Sequence, residues 1–357
     1  MNLQEYLKQI APPDEKAMAA ARDHWNSIAK PIGSLGLLED AVTQIAGLTG
    51  SPRVKLGKRA VLVFCADNGV VAEGVTQTGQ EVTSLVAGNM VKHDSSVCRM
   101  GEVARADVFP VDMGMIAPAE GVRDCHIRRG TGNLAKELAM TREEAEKAVL
   151  TGIQLVGELK AEGYGVVATG EMGIGNTTTS SAMMAAFLGL EPAEVTGRGA
   201  GLSDEGLRRK IAAIEAGLRL HKPDPADALD VLSKVGGLDI AGICGAFLGG
   251  AIHRIPVLVD GFISAVGALA AQRLAPESRH AMLAAHVSAE PAAKRLLDEL
   301  GLKPMITAGL RLGEGTGAVA ALPLLDMALA VYDGMVTFDN IGMEAYDVSL
   351  TTKAGPK

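Results

Sequence analysis

Short β-branched runs recur along the chain, each followed by a glycine-rich polar turn and then by an amphipathic or uniformly apolar stretch of helical length. The clearest are Ala60 to Phe64, Val108 to Val111, Gly165 to Ala168 and Ile255 to Val259, with a weaker fifth at Met282 to Val287. Strand-length apolar runs alternating with helical segments predict an α/β fold, a mostly parallel sheet with helices on both faces. Some helix ends are legible too. Thr141 and Glu144 form a T-x-x-E capping box, and the helix they open should stop at Gly163, where a left-handed backbone is tolerated. Ser203 and Asp239 read as further N-caps. Both chain ends read as helical or irregular, which predicts a small helical domain from residues 1–50 together with 318–357, beside a large α/β catalytic domain over 51–317.

The polar residues that follow each run are informative. Asp67 and Asn68 follow the first, Asp112 the second, Glu171 the third, Asp260 the fourth, and Ser288 with Glu290 the fifth. In open α/β sheets ligands bind beyond the carboxyl ends of the strands, so these clusters would meet at one site. Any one acid after a strand is equally a helix cap or turn residue.

Composition narrows the classes. With 357 residues, 48% hydrophobic and 21% charged, the chain is an ordinary globular protein with a sizeable core, not a disordered, collagenous or disulfide-stapled one. A net charge of −8 supplies no global attraction for nucleic acid or anionic lipid, so any phosphate must be met locally. Aromatic residues, at 3%, are too few for base-stacking platforms. Cys65, Cys98, Cys125 and Cys244 form no C-x-x-C pair and the seven histidines no H-x-x-x-H, so reduced structural thiols and no metal site are expected. The N-terminus lacks a signal-like apolar core, and the longest apolar run, Ile240 to Ile252, falls short of the roughly 20 residues of a membrane span. A cytoplasmic protein is expected.

Three segments carry chemistry. From Ala168 to Met183, ATGEMGIGNTTTSSAM runs strand, glycine turn, helix start. Glycines 170, 173 and 175 allow a tight turn, and the free N–H groups of the following helix would stabilise a phosphate or carboxylate. No lysine follows as in a P-loop, and the spacing is not that of a dinucleotide fingerprint, so a mononucleotide or sugar phosphate suits it better. A plain glycine-rich turn with threonine caps is the alternative. In RLGEGTGA, Arg311 to Ala318, glycines flank Glu314 and leave it approachable as a general base; the other reading is a helix-start acid favoured by the dipole. In GRGAGLSDEGLRRK, Arg198, Arg208, Arg209 and Lys210 surround another glycine turn. Lys210, about two turns beyond Ser203, projects on the side of the cap and could reach an anion, though such runs are also solvated helix faces.

These blocks together resemble the nicotinate-nucleotide:dimethylbenzimidazole phosphoribosyltransferase family over nearly the whole chain. The resemblance rests on KPIGSLGLLE (30–39), CADNGVVAEGVTQTGQEVT (65–83), RRGTGNLAKELAMT (128–141), TGEMGIGNTTTSSA, GRGAGLSDEG, LSKVGGLDIAGICGAFLGGA, PVLVDGFISAVGALAA, HVSAEPAAKRLL and RLGEGTGAVAALPLLDMA. It implies transfer of phosphoribosyl from nicotinate mononucleotide to 5,6-dimethylbenzimidazole, giving α-ribazole 5′-phosphate and nicotinate. It also implies a Rossmann-like large domain, a small domain from both chain ends, no cofactor and a homodimer. Carried over by motif, Glu314 is the catalytic base. Gly173, Gly175, Asn176, Thr177, Thr178, Gly199, Ala200, Gly201, Lys210, Ser288, Leu312 and Gly313 approach the nucleotide. Thr78, Val82, Val86, Glu171 and Met172 border the azole base. Many relatives have His where Asn68 stands, and Thr78 and Val86 are less polar than in some. The alternatives are the same transfer to another lower-ligand base, a non-catalytic nucleotide-binding module, and a nicotinamide-dependent oxidoreductase, which the missing dinucleotide fingerprint disfavours.

Overall fold

All five predicted runs contain strands, and a short sixth joins them. The structure, a computed structural model, describes residues 1–347. The strands are β1 (Lys58–Ala66), β2 (Ala106–Gly114), β3 (Arg123–Asp124), β4 (Tyr164–Met172), β5 (Val257–Val259) and β6 (Met282–Ala284). They form one parallel sheet in the order β3-β2-β1-β4-β5-β6. The order reverses between β1 and β4, and that reversal opens a crevice at their carboxyl ends. Register brings those ends level: Phe64 pairs with Glu171 and Cys65 with Met172 on one side, and Cys65 with Asp112 on the other.

The helices, in chain order, are α1 (Leu3–Leu7), α2 (Glu15–Ser27), α3 (Leu37–Thr49), α4 (Glu81–Val91) and α5 (Ser96–Ala104). They continue with α6 (Arg142–Ala161), α7 (Asn176–Leu188), α8 (Pro192–Val195), α9 (Asp204–His221) and α10 (Ala228–Val235). The last are α11 (Leu238–His253), α12 (Phe262–Leu274), α13 (Ala293–Glu299) and α14 (Thr316–Gly334). Strand alternation sorts the core into two layers. Ala60, Leu62 and Phe64 of β1 pack in the layer that holds α6, α11 and α12, whereas Val61, Val63 and Cys65 pack with α3, α5 and α14. The crossing of α6 with α11 depends on glycine, because a Cβ on Gly152 would collide with the Gly242 carbonyl and one on Gly245 with that of Val149.

The capping box at Thr141 is present, and Gly163, at φ +87°, follows the end of α6. Ser203 caps α9. Asp239 does not cap α11: Gly237 holds that position, and Asp239 lies inside the first turn, fully buried, with its carboxylate turned to another helix. The fifth run is strand only over Met282–Ala284; beyond it residues 285–289 pair with the loop at 305–310. The run Ile240 to Ile252 lies within α11, buried apart from a half-buried Ile252. At 19 residues and mean hydropathy 1.3, α14 is the one helix among the described residues with the length and apolarity of a membrane span. Its Leu322, Leu325 and Ala328 are core residues. Helices α2 and α14 meet where His24 and Trp25 pack edge-on against Tyr332, whose hydroxyl donates to the Pro52 carbonyl at 2.9 Å. Residues 348–357 of the predicted small domain lie outside the described residues.

Candidate active site

A cleft of about 230 Å³ opens at the carboxyl ends of β4, β5 and β6, where the strand-end clusters converge. Glu171, Met172, Gly173, Asn176 and Thr177 line it from β4 and the start of α7, Asp260 from β5, His286, Ser288 and Glu290 from beyond β6, and Leu312 to Glu314 from the loop before α14. A second chamber of about 140 Å³ continues from it past Gly173 to Thr177 and Gly199 to Gly201, and is walled by Val75 to Thr78. The strand-end residues Asp67, Asn68 and Asp112 lie beside this cleft, not in its walls.

Glu314 is half-buried and has a left-handed backbone, φ +61°, between Gly313 and Gly315, both at φ +90°. Three such residues in a row fold the chain over the end of β4, and a Cβ on Gly170 would stand 2.5 Å from the Glu314 carbonyl. The Glu314 carboxylate accepts a hydrogen bond from the Val97 N–H, in the first turn of α5, at 3.3 Å. Burial raises the Glu314 carboxyl above the ordinary range; the Val97 N–H pulls it down and the charge of Asp260 adds to the rise. A carboxylate with raised proton affinity at the wall of a cleft is chemically a general base.

Beneath it lies a second acid. Glu171 is buried, and its Oε1 sits 2.5 Å from where a Gly313 Cβ would be, so glycine is required above it. The Asn176 amide donates both to Glu171 and to Asp239, the latter at 2.9 Å. Burial drives Glu171 well above the usual carboxylate range, opposed by the Asn176 bond and reinforced by Asp239, Asp260 and Glu314. Burial likewise pushes Asp239 up to about 6.

At the other end, the first turn of α7 follows Gly175 at φ +96°, which offers no side-chain cap. Lys210 lies behind this turn, completely buried, with Nζ donating to Thr177 Oγ1 at 2.8 Å and to the Gly197 carbonyl at 3.0 Å. Burial lowers its pKa to about 8, against the charge of Glu290. The expected side is therefore right, but the ammonium buttresses the wall from within. Arg198 and Arg209 are instead spent on Asp204 and Glu205, while Arg208 is exposed.

Of the residues singled out in the sequence, Glu314, Gly313, Leu312, Ser288, Glu171, Met172, Gly173, Asn176, Thr177, Gly199 and Ala200 line the main cleft. Gly175, Gly201 and Thr78 line the second chamber. Thr178 is buried in α7, and Val82 and Val86 are half-buried on α4; these three line neither chamber. Helix α4 is tied to the glycine turn by Thr83, whose hydroxyl accepts from the Ile174 N–H at 3.2 Å. Sequence reasoning assigned no role to His286, which is buried with Nε2 3.6 Å from Asp260 Oδ1. A lone histidine after a strand carries no motif. Among the described residues, no group of three or more His, Cys, Asp or Glu could hold a metal ion.

Comparison with known proteins shows the family. A family model described as phosphoribosyltransferase, DBI_PRT, matches residues 10–343. The chain is 44% identical to the nicotinate-nucleotide–dimethylbenzimidazole phosphoribosyltransferase of Ruminiclostridium cellulolyticum, over 97% of this chain and 99% of that one. It is 47% identical to the enzyme of that name from Geobacter sp. strain M21, over 96% and 99%. The crystal structure of nicotinate-nucleotide–dimethylbenzimidazole phosphoribosyltransferase from Thermus thermophilus superposes with a TM-score of 0.87 at 39% identity, covering 93% of this chain and all of that one.

Proposed function

This chain belongs to the nicotinate-nucleotide–dimethylbenzimidazole phosphoribosyltransferase family, and we propose that in it Glu314 is the base that accepts the azole proton. The reaction moves phosphoribosyl from nicotinate mononucleotide to a ring nitrogen of 5,6-dimethylbenzimidazole, releasing nicotinate and giving the α-riboside phosphate used in cobalamin lower-ligand assembly. The pyridine nitrogen of the donor is already cationic, so it leaves as a neutral ring and no general acid is needed. The azole N–H becomes acidic as the other ring nitrogen bonds to C1′, and one carboxylate must take that proton in the transition state. Attack opposite the leaving group turns a β nucleotide into an α product without a glycosyl-enzyme intermediate. Glycosidases, whose leaving alcohol must be protonated, need two carboxylates instead. Atoms and charge balance without a cofactor.

The observation that carries this reading is the position of Glu314 in the wall of the same cleft as the uncapped first turn of α7. The phosphate seats at Thr177 and the Gly199–Gly201 turn, where free N–H groups donate charge-assisted hydrogen bonds worth roughly 1.5 to 3 kcal/mol each, while the buried Lys210 holds Thr177 from behind and adds its positive charge. Ser288 and Gly313 face the ribose, and Met172 and Leu312 supply apolar surface for the azole, with Glu171 below it. Thr78 borders the second chamber, and Val82 and Val86 stand on the neighbouring α4 outside both chambers. Substrates are small molecules; the assembly is a homodimer in the cytoplasm, with residues 1–50 and the C-terminal helix forming a subdomain beside the cleft. The test is chromatographic detection of nicotinate and α-riboside phosphate over a panel of benzimidazoles, purines and phenolics, with light scattering for the dimer. Absence of nicotinate release with every base would overturn the reading.

A further inference from the structure

Helix α14 begins two residues after Glu314, yet its N-cap, Gly315, has no side chain to bond the free amides of the first turn. Part of that task is done from a distance. Asp260, at the carboxyl end of β5, accepts the Ala318 N–H on Oδ1 at 2.8 Å, the bond a local Ser or Asp cap would make. Asp260 is itself fixed: its N–H donates to Ser264 Oγ at 3.2 Å, and Ser264 is bonded to Thr169 of β4 at 2.6 Å. The His286 ring lies against the same turn of α14, so closely that a Cβ on Gly317 would overlap it. Its Nε2 is 3.6 Å from Asp260 Oδ1. Both Asp260 and His286 are buried, and both line the cleft that Glu314 faces.

A backbone held in three consecutive left-handed residues needs an external clamp, since a non-glycine residue in that region is strained. Glu314 is the non-glycine member of the run. We propose that Asp260 is a positioning residue for Glu314: it anchors the first turn of α14 to the sheet, which aims the Glu314 carboxylate across the cleft. The negative charge of Asp260 acts on the same carboxylate and raises its proton affinity. The charged and titratable groups that line the cleft with Glu314 are Glu171 from β4, Asp260 from β5, His286 and Glu290 from beyond β6 and Arg311 from its own loop, with an N-terminal amide of α5 bonded to its carboxylate.

This inference rests on Glu314 being the base, and the experiment separates the two. Rates of nicotinate release are measured against pH for the wild type, Glu314→Gln, Asp260→Asn and Asp260→Leu. Activity rises with pH as the base ionises, and Glu314→Gln removes that acid limb. Asp260→Asn keeps an acceptor for Ala318 but loses the charge, so its acid limb moves to lower pH by about half a unit. Asp260→Leu loses the anchor as well, and its turnover falls roughly 10- to 100-fold below that of Asp260→Asn. An acid limb that Glu314→Gln abolishes, together with Asp260→Leu turning over as fast as Asp260→Asn, overturns the positioning role of Asp260 alone, and an acid limb that Asp260→Asn leaves in place removes its charge effect. A limb that survives Glu314→Gln overturns the base assignment and this inference with it. Should Asp260→Leu fail to fold, Asp260→Ser, whose shorter side chain leaves the Ala318 N–H out of reach, takes its place in the comparison with Asp260→Asn.

Discussion

Glu171 and Asp239, on different elements, are held by the single amide of Asn176, so two buried carboxylates share one neutral donor. Two negative charges at that spacing in a dry interior repel, and at least one of the pair holds a proton more tightly than a free carboxyl does. The floor of the site is thus an acid store that depends on one asparagine.

Stability should therefore fall as pH rises through the range where Asp239 ionises. Its carboxyl is pushed up to about 6 from an ordinary 3.8. Between those values the folded protein keeps a proton that the unfolded chain has lost, so the contribution is whole below about pH 4 and gone above about pH 6. Two units correspond to roughly 3 kcal/mol. Urea unfolding of wild type and Asp239→Asn at several pH values checks this; equal slopes in the two proteins would show that the dependence comes from elsewhere.

Asn176→Leu leaves both carboxylates without their donor. Loss of hydrogen bonds to buried charged groups costs about 3 kcal/mol or more, so the midpoint of thermal unfolding drops, and drops further at pH 7 than at pH 5. A variant as stable as wild type at both would refute the shared-amide picture.

Glu314→Gln keeps the shape of the loop and one acceptor for Val97. Turnover is expected to fall by around 10² or more while nucleotide affinity and the unfolding midpoint stay near those of wild type. Steady-state kinetics with calorimetric titration of nicotinate mononucleotide distinguish this from a folding defect.

Lys210 supports the phosphate wall from behind, so Lys210→Met should raise the KM for the nucleotide well above any change for the azole. Because its pKa is lowered to about 8, nucleotide affinity should weaken as pH climbs past that value in wild type and not in the variant. Equal KM changes for both substrates would place Lys210 away from the phosphate.

Gly313→Ala combines a φ of +90° with a Cβ 2.5 Å from Glu171 Oε1. Strain of about 1 to 3 kcal/mol and a displaced carboxylate should lower kcat more than they raise either KM. A crystal structure of the variant with an unmoved Glu171 and unchanged kcat would contradict the tight stacking of the two acids.

Much of this molecule was legible before any coordinate was known. Hydrophobic runs marked the strands because burial on both faces of a parallel sheet leaves nearly continuous apolar segments. Glycines around Glu314 and after β4 marked the tight turns, since only local sterics are involved. Asp239 reads as a cap because acid at a helix start is a local signal, whereas its partner, Asn176, lies far away in the chain. The depth of Lys210 is equally hidden: helical spacing gives its side, but Thr177, to which its ammonium donates, belongs to another segment.

Composition and spacing, then, determined the strand runs, the glycine turns and which acid stands between two glycines, because each of those follows from neighbours within a few residues. The tertiary structure decided which acids share a donor, which cation is buried and that Asp260 caps a helix begun 56 residues later. Proton affinity and aim depend on distances through space, and those are set only when the sheet brings its carboxyl ends together.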